Sequence, residues 1–368
     1  MSATIDPRRL VTWLAEERSM FAQVIEAPAP VESHPLQARD LPQPAPGPGE
    51  LLIRVRACGV CRTDLHVAEG DLPPHKQPVV PGHQIVGSVE AVGPAETSPS
   101  IAAGQAARRA PLQEVGIGDR VGVAWLHRTD STCRFCRGGR ENLCERPQFT
   151  GWDVDGGYAQ YVVAPANFVY PLPQGFSDEQ AAPLLCAGII GYRSLRLAAL
   201  ERGGRLGLYG FGSAAHVIIQ VAIARGLEVY VGTRDAPHRA LAQELGARWT
   251  GDTYDTPPAL LDAAIIFAPA GEIVPAALKA VDRGGRVVCA GIHMSPIPSF
   301  PYDDLYWERQ ILSVANNTRE DGRAFLEEAV RVPVRSRVQT FPLADAGEAL
   351  LALKHDQIQG GSAVLLAG

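Results

Sequence analysis

Between Arg205 and Arg225 the chain passes from a β-type run, Arg205-Leu-Gly-Leu-Tyr209, through a Gly-rich turn into a helical segment starting at Ser213. The turn, Gly210-Phe-Gly212-Ser213-Ala214-Ala215, fits the pattern G-x-G-x-x-G/A. Its first Gly permits a tight turn, its second lets a ligand approach the backbone, and a small third residue lets helix and strand pack closely. The alternation continues with a strand at Glu228–Gly232, a helix at Ala236–Leu245, and strands at Ala263–Phe267 and Gly285–Ala290. Alternation of this kind predicts a doubly wound parallel sheet. A Gly-rich turn opening a helix in that setting predicts a dinucleotide site, because the free N–H groups of the first helical turn face the phosphates. The plainer alternative is an ordinary strand–helix turn.

The end of the second strand discriminates between dinucleotides. An acid there hydrogen-bonds the ribose 2′-OH of NAD, whereas a guanidinium suits the 2′-phosphate of NADP. Thr233 and Arg234 hold that place, His238 and Arg239 follow, and Asp235 comes one or two residues late unless the loop bulges. The reading is NAD(P), leaning to NADP.

Ahead of this region, from Phe21, the texture is different. Short β-type runs such as Leu51–Ala57, Gln84–Val92 and Asp119–Val123 are broken by Pro and Gly, which predicts a compact, barrel-like β domain. The stretch Pro94–Glu114 reads as an inserted surface loop. Residues 1–20 stand apart as an N-terminal extension, either an amphipathic helix carrying Leu10, Val11, Trp13 and Leu14 or a tail. The last fifty or so residues return to mixed short elements and end in the strand-like Ala363–Leu366. At 368 residues, two domains are expected. The net charge of −6 arises from 34 basic and 40 acidic residues with no long block of either sign, which argues against nucleic acid and against a polybasic membrane anchor. No apolar run reaches the ~18 residues of a spanning helix, and no secretory h-region follows Arg8 and Arg9.

The seven cysteines are an odd number in a chain too long to need disulfide staples, which makes a reducing cytoplasm the expected address. Cys133, Cys136 and Cys144 fall close together, and a closed tetrahedral zinc site needs a fourth ligand. Asp130 extends the three-residue step and can supply a carboxylate; His127 is the alternative. More dispersed are Cys61-Arg-Thr-Asp-Leu-His66, Pro81-Gly-His83 and Leu185-Cys186-Ala-Gly188. Two thiolates and an imidazole make an open zinc site with a free position, but spacing alone does not assemble these three.

In family order, Cys58-Gly-Val-Cys-Arg-Thr-Asp-Leu-His66, Val79-Val-Pro-Gly-His83, the Cys133/Cys136/Cys144 lobe, Pro183–Gly188 and Gly210–Ala215 together resemble a zinc-dependent alcohol dehydrogenase of the medium-chain dehydrogenase/reductase superfamily. The resemblance runs from about Phe21 to the C-terminus and implies an α/β architecture. A GroES-like β-barrel catalytic domain (21–187 and 314–368) would be joined to a Rossmann doubly wound parallel-sheet cofactor domain (188–313). By resemblance Cys61, His83 and Cys186 hold a catalytic zinc, Cys58 is a spare, and Asp130, Cys133, Cys136 and Cys144 hold a structural zinc. Asp64 orients the zinc-bound imidazole, Arg62 contacts the pyrophosphate, and Trp125 and Leu126 line a pocket for small or primary alcohols, their alternative being plain core. Zinc then acts as a Lewis acid on the alcohol oxygen, Thr63 and His66 relay its proton, and hydride passes reversibly between the substrate carbon and NAD(P).

Three departures from the family pattern stand out. Gln84 replaces a Glu after His83, Asp130 replaces a lobe cysteine, and Gly360-Gly-Ser362 replaces an Arg directed at the pyrophosphate. The family also implies a homo-dimer or homo-tetramer, with 285–314 as the seam. Two other readings are a zinc-free quinone or enone reductase, which the Cys61/His83/Cys186 set opposes, and an idle binding protein on the same fold, which Thr63 and His66 oppose.

Overall fold

A computed structural model describes residues 18–95 and 115–368. The expected N-terminal helix and most of the 94–114 insertion lie outside these residues. The first part of the chain is β-rich: β1 (Ser19–Ile25), β2 (Leu36–Pro42), β3 (Glu50–Val60), helix α1 (Arg62–Glu69), β4 (Gln84–Val92), β5 (Arg120–Val123) and β6 (Leu126–Arg128). A short helix α2 (Arg134–Arg137), β7 (Gln148–Phe149), β8 (Tyr161–Pro165), β9 (Val169–Pro171) and helix α3 (Asp178–Ala181) complete it. The second part alternates: α4 (Ala187–Ala198), β10 (Arg205–Tyr209), α5 (Ser213–Ala224), β11 (Glu228–Gly232), α6 (Ala236–Glu244), β12 (Trp249–Gly251), β13 (Leu261–Ile266), α7 (Ile273–Ala280), β14 (Val281–Cys289) and β15 (Gln310–Ser313). The chain then returns through α8 (Arg319–Arg331), β16 (Val338–Pro342), α9 (Ala346–Lys354) and β17 (Ser362–Leu366).

The second part builds a six-stranded parallel sheet in the order β12-β11-β10-β13-β14-β15. This is the doubly wound order, and its switch point falls between β10 and β13, where a crevice opens at the carboxyl ends of the strands. The strands are almost continuously apolar because helices cover both faces. Helix α5 is buried on nearly every side, so Val217, Ile218, Ile219 and Val221 pack inward while α4 lies alongside it and α8 packs in turn on α4.

The first part forms a mostly antiparallel sheet in the order β16-β17-β3-β4-β5-β9, with β8 also on β3. Strand β3 is its spine. Its apolar residues Leu51, Ile53, Val55 and Val60 are buried, and it delivers the chain directly into α1. The C-terminal β17 pairs antiparallel with β3, so the last segment completes the sheet that the first segment began. No helix among the described residues is long and apolar enough to cross a membrane.

Asp321 ties α8 to α4. It is the N3 residue of a capping box with Thr318, and its carboxylate takes Arg193 and Arg196 at 2.6 Å each. Burial opposes its charge, but the Thr318 hydrogen bonds and the Arg193 guanidinium outweigh burial and hold the carboxyl below its usual range. A depressed folded-state pKa contributes stability above the unfolded value, near 3.9, and loses it as pH falls through the folded value. Asp321→Asn is expected to lower unfolding stability by about 3 kcal/mol at pH 7. In urea titrations the gap between variant and parent should shrink below about pH 4; a gap independent of pH would contradict this account.

Candidate active site

The backbone around His83 is set by Gly82, whose φ of +97° is open to Gly and strained for other residues. A Cβ at Gly82 would also stand 2.3 Å from the ring of Tyr158, which lies flush over the turn. The turn sends the His83 imidazole into the interior, fully buried, where Nδ1 meets Asp64 Oδ1 at 2.9 Å. Asp64, on the first turn of α1, also accepts the Cys61 backbone N–H at 2.9 Å, and the Tyr158 hydroxyl donates to it at 3.2 Å. One carboxylate therefore fixes the positions of Cys61 and His83 together.

Cys186 comes from the second part of the chain, at the N-terminal boundary of α4. The Cys61 and Cys186 sulfurs and a His83 ring nitrogen all lie within 4.8 Å of one another. His83 Nε2 is buried without a hydrogen-bond partner. The Cys61 thiol is held well below its usual range, chiefly by a hydrogen bond from Cys186 and, against burial, by His83. Burial pushes His83 down, yet the Asp64 charge and hydrogen bond carry it up to about 10. An orphaned buried nitrogen facing two polarised thiols fits a borderline-soft dication such as zinc, which would satisfy all three donors. Cys58 is buried, with its sulfur near the Gly59 carbonyl, and lies outside this group. Gln84 starts β4 with its side chain buried and Oε1 unpartnered.

A second donor group gathers Asp130, Cys133, Cys136 and Cys144 within the same 4.8 Å limit; His127, buried nearby in sequence, is not in it. Backbone N–H groups of Asp130, Cys136 and Arg146 point at the sulfurs of Cys144 and Cys133 at 3.3–3.5 Å. Asp130 Oδ1 accepts the N–H groups of Cys133 and Thr132 at 2.9 Å, which keep its carboxyl well below the usual range. Three thiols, two of them receiving backbone N–H donors, and one ionised carboxylate suit a closed tetrahedral zinc.

Thr63 and His66 sit one turn apart on α1, with Thr63 Oγ1 3.7 Å from the Cys61 sulfur. His66 Nδ1 bonds Asp71 at 2.8 Å, and its ring lies 5.3 Å from that of His293 after β14. Trp125 is buried with its ring edge-on to His83 at 4.9 Å, and it stacks on Phe149 and Trp152 at 5.0 and 5.9 Å. Leu126 is buried in β6 opposite Phe149. Tyr158, Asp71, Phe149 and Trp152 gave no local signal in the sequence, because each reaches the site through the tertiary fold.

At the switch point, Gly210 has φ +83°, and a Cβ there would come within 2.9 Å of the Ala268 nitrogen. Gly212 caps α5 with φ −101°, and a Cβ there would meet nothing within 4 Å. The chain itself thus demands glycine at 210, whereas at 212 the demand comes from whatever occupies the open space outside it. Ala215 is buried behind the turn, and Ser213 Oγ meets Ser362 Oγ at 2.5 Å. His216 fills the floor beneath, fully buried, and burial lowers its pKa to about 4. Thr233 is buried at the end of β11, and its carbonyl accepts Arg239 at 2.6 Å, which turns that guanidinium inward. Asp235 N-caps α6, its Oδ1 accepting the His238 N–H, with Pro237 in the first turn. The Asp-Ala-Pro sequence carries that capping signal. Arg62, on α1, and Arg234, after β11, meet at Asp356.

A doubly wound sheet carrying an open Cys/His/Cys donor set and a separate four-donor lobe defines a zinc-binding dehydrogenase. Residues 47–174 match the family model for the alcohol dehydrogenase GroES-like domain, and residues 214–331 match that for zinc-binding dehydrogenase. The chain is similar to a Mycobacterium tuberculosis protein described as a probable alcohol dehydrogenase, AdhA, at 49% identity covering 96% of this chain and 99% of that one. It is also similar to an alcohol dehydrogenase of Geobacillus stearothermophilus, at 34% identity covering 89% and 95%. Among solved structures, acetophenone reductase from Geotrichum candidum in complex with NAD superposes with a TM-score of 0.80 at 26% identity, covering 95% and 97%. The chain belongs to the zinc-type medium-chain alcohol dehydrogenases, which are NAD(P)-dependent oxidoreductases.

The contrast between the two glycines is testable. Gly210→Ala is expected to destabilise the fold by about 1 kcal/mol or more. Gly212→Ala should leave thermal unfolding within about 0.5 kcal/mol of the parent while weakening dinucleotide binding. Equal destabilisation by both variants would contradict the distinction.

Proposed function

We propose that this chain interconverts primary or small secondary alcohols and their aldehydes or ketones, with one catalytic and one structural zinc per chain. The reading is carried by the gathering of the Cys61, His83 and Cys186 donors, with Thr63 beside Cys61. Cys61, His83 and Cys186 would hold the catalytic ion, and Asp130, Cys133, Cys136 and Cys144 the structural one. When bound, the ion supplies Lewis acidity that lowers the pKa of the alcohol hydroxyl, and the nicotinamide supplies the hydride acceptor.

The chain's own residues do the rest. Thr63 Oγ1 accepts the substrate's hydroxyl proton and passes it towards the His66 imidazole, which its bond to Asp71 orients. Asp64 keeps His83 Nδ1 engaged so that Nε2 remains free as a donor. The buried Trp125, braced by Phe149 and Trp152, narrows the space beside His83 and favours small substrates. The Gly-rich turn at the start of α5 receives the pyrophosphate with Arg62. Thr233 and Arg234 read the ribose 2′ position, and the guanidinium favours NADP(H) over NAD(H).

Exposed Ile292, Ile297, Tyr302, Tyr306 and Trp307 flank the edge strand β15 and support a homo-dimer or homo-tetramer joined along 285–314. The cysteines, free throughout, support a reducing cytoplasm.

Metal analysis of the purified protein should return two zinc ions per chain. Cys186→Ala should retain one ion, keep its fold and lose turnover with simple alcohols. Asp130→Ala should also drop to one ion but lose thermal stability instead. Thr63→Ala should lower kcat/KM by about 10²-fold or more, with Thr63→Ser recovering most of it. Full zinc occupancy in Cys186→Ala would overturn the assignment of the catalytic site.

A further inference from the structure

Asp356 stands just beyond the C-terminus of α9, in the catalytic part of the chain, and it reaches across the cleft. Its Oδ1 receives Arg62 Nη2 at 2.7 Å and its Oδ2 receives Arg234 Nη2 at 2.9 Å. Arg62 follows the metal-site cysteine Cys61, whereas Arg234 follows β11 of the cofactor sheet, so one carboxylate joins both halves of the molecule. Its backbone is in the left-handed region, φ +53°, where a non-glycine residue is uncommon and Asp or Asn is tolerated best. Asp356 thus keeps a side chain at a position whose backbone favours glycine, and that side chain bridges two arginines.

Two guanidiniums converge on one point only if an anion lies between them. Arg234 is 80% exposed at its side chain, and among the described residues Asp356 is the one side-chain partner it makes. A phosphate that engages Arg234 through Nη2 competes with this carboxylate. A 2′-phosphate also brings its own negative charge close to Asp356, a repulsion that the unphosphorylated ribose does not meet.

We propose that Asp356 determines dinucleotide specificity: its carboxylate competes with cofactor phosphate for Arg62 and Arg234 and so penalises the 2′-phosphorylated dinucleotide. This rests on the reading of Arg234 as the 2′-phosphate contact. Asp356 therefore tempers the preference for NADP(H) that Arg234 confers, and its removal releases that preference.

The test is equilibrium binding of NADPH and of NADH, followed by cofactor fluorescence, in the zinc-loaded parent and in Asp356→Asn, Asp356→Gly, Arg234→Gln and the Asp356→Asn/Arg234→Gln double variant. Binding of adenosine 2′,5′-bisphosphate and of AMP by calorimetry isolates the adenosine end. Asn keeps the size and the left-handed preference, and Gly relieves the backbone, so at least one variant should retain the parental unfolding midpoint. Neutralising Asp356 is expected to tighten NADPH about 5–10-fold and NADH no more than about 2-fold, with the bisphosphate following NADPH. This gain should vanish in the double variant. If Arg234→Gln weakens NADPH but neutralising Asp356 leaves the NADPH/NADH ratio unchanged, or weakens both cofactors, the proposal for Asp356 is wrong while the reading of Arg234 stands. If Arg234→Gln itself leaves the ratio unchanged, the reading of Arg234 fails and the proposal fails with it.

Discussion

The buried carboxylate of Asp64 is the contact on which the reactive centre depends. It closes the first turn of α1 through the Cys61 N–H, holds His83 Nδ1, and takes the Tyr158 hydroxyl. A charge at 1% exposure is costly unless it is hydrogen-bonded, and here three donors from three separate segments engage it. The same contacts that make the burial tolerable decide which ring nitrogen of His83 faces the thiols. Gly82, packed against Tyr158, leaves room for the turn that brings His83 to this carboxylate, so the β-rich part places the Cys61 and His83 donors.

Cys186 supplies the remaining donor from the boundary of α4, and α4 is in turn anchored to α8 by Asp321. The donor set therefore lies where the β-rich sheet meets the helices of the doubly wound sheet. The switch point of the doubly wound sheet lies between β10 and β13, and the Gly210–Ala215 turn follows β10 directly.

Much of this was legible in the sequence where the signal was local. The Gly210–Ala215 turn, the strand–helix alternation after it, and the Cys133/Cys136/Cys144 spacing each occupy a short window, and the structure has them as compact local units. Cys61, His83 and Cys186 were different: their spacing said little, and only resemblance linked them, since β3, the Pro81–Gly82 turn and α4 meet through tertiary packing. Tyr158, Asp71 and Asp356 were invisible for the same reason. Asp235 illustrates the opposite case. Its place one or two residues past the ribose-reading position left its role open in the sequence, whereas the local Asp235-Ala-Pro237 pattern is a helix-capping signal, and the structure has Asp235 as the N-cap of α6.

The most direct measurement is zinc affinity, by competition with a chromophoric chelator, in Asp64→Asn beside the parent protein. If Asp64 positions His83 for the metal, the affinity of one of the two sites falls by about 10–100-fold while the lobe around Asp130 keeps its ion. Parental affinity at both sites, with Tyr158 and His83 still packed as before, would contradict the account at its centre.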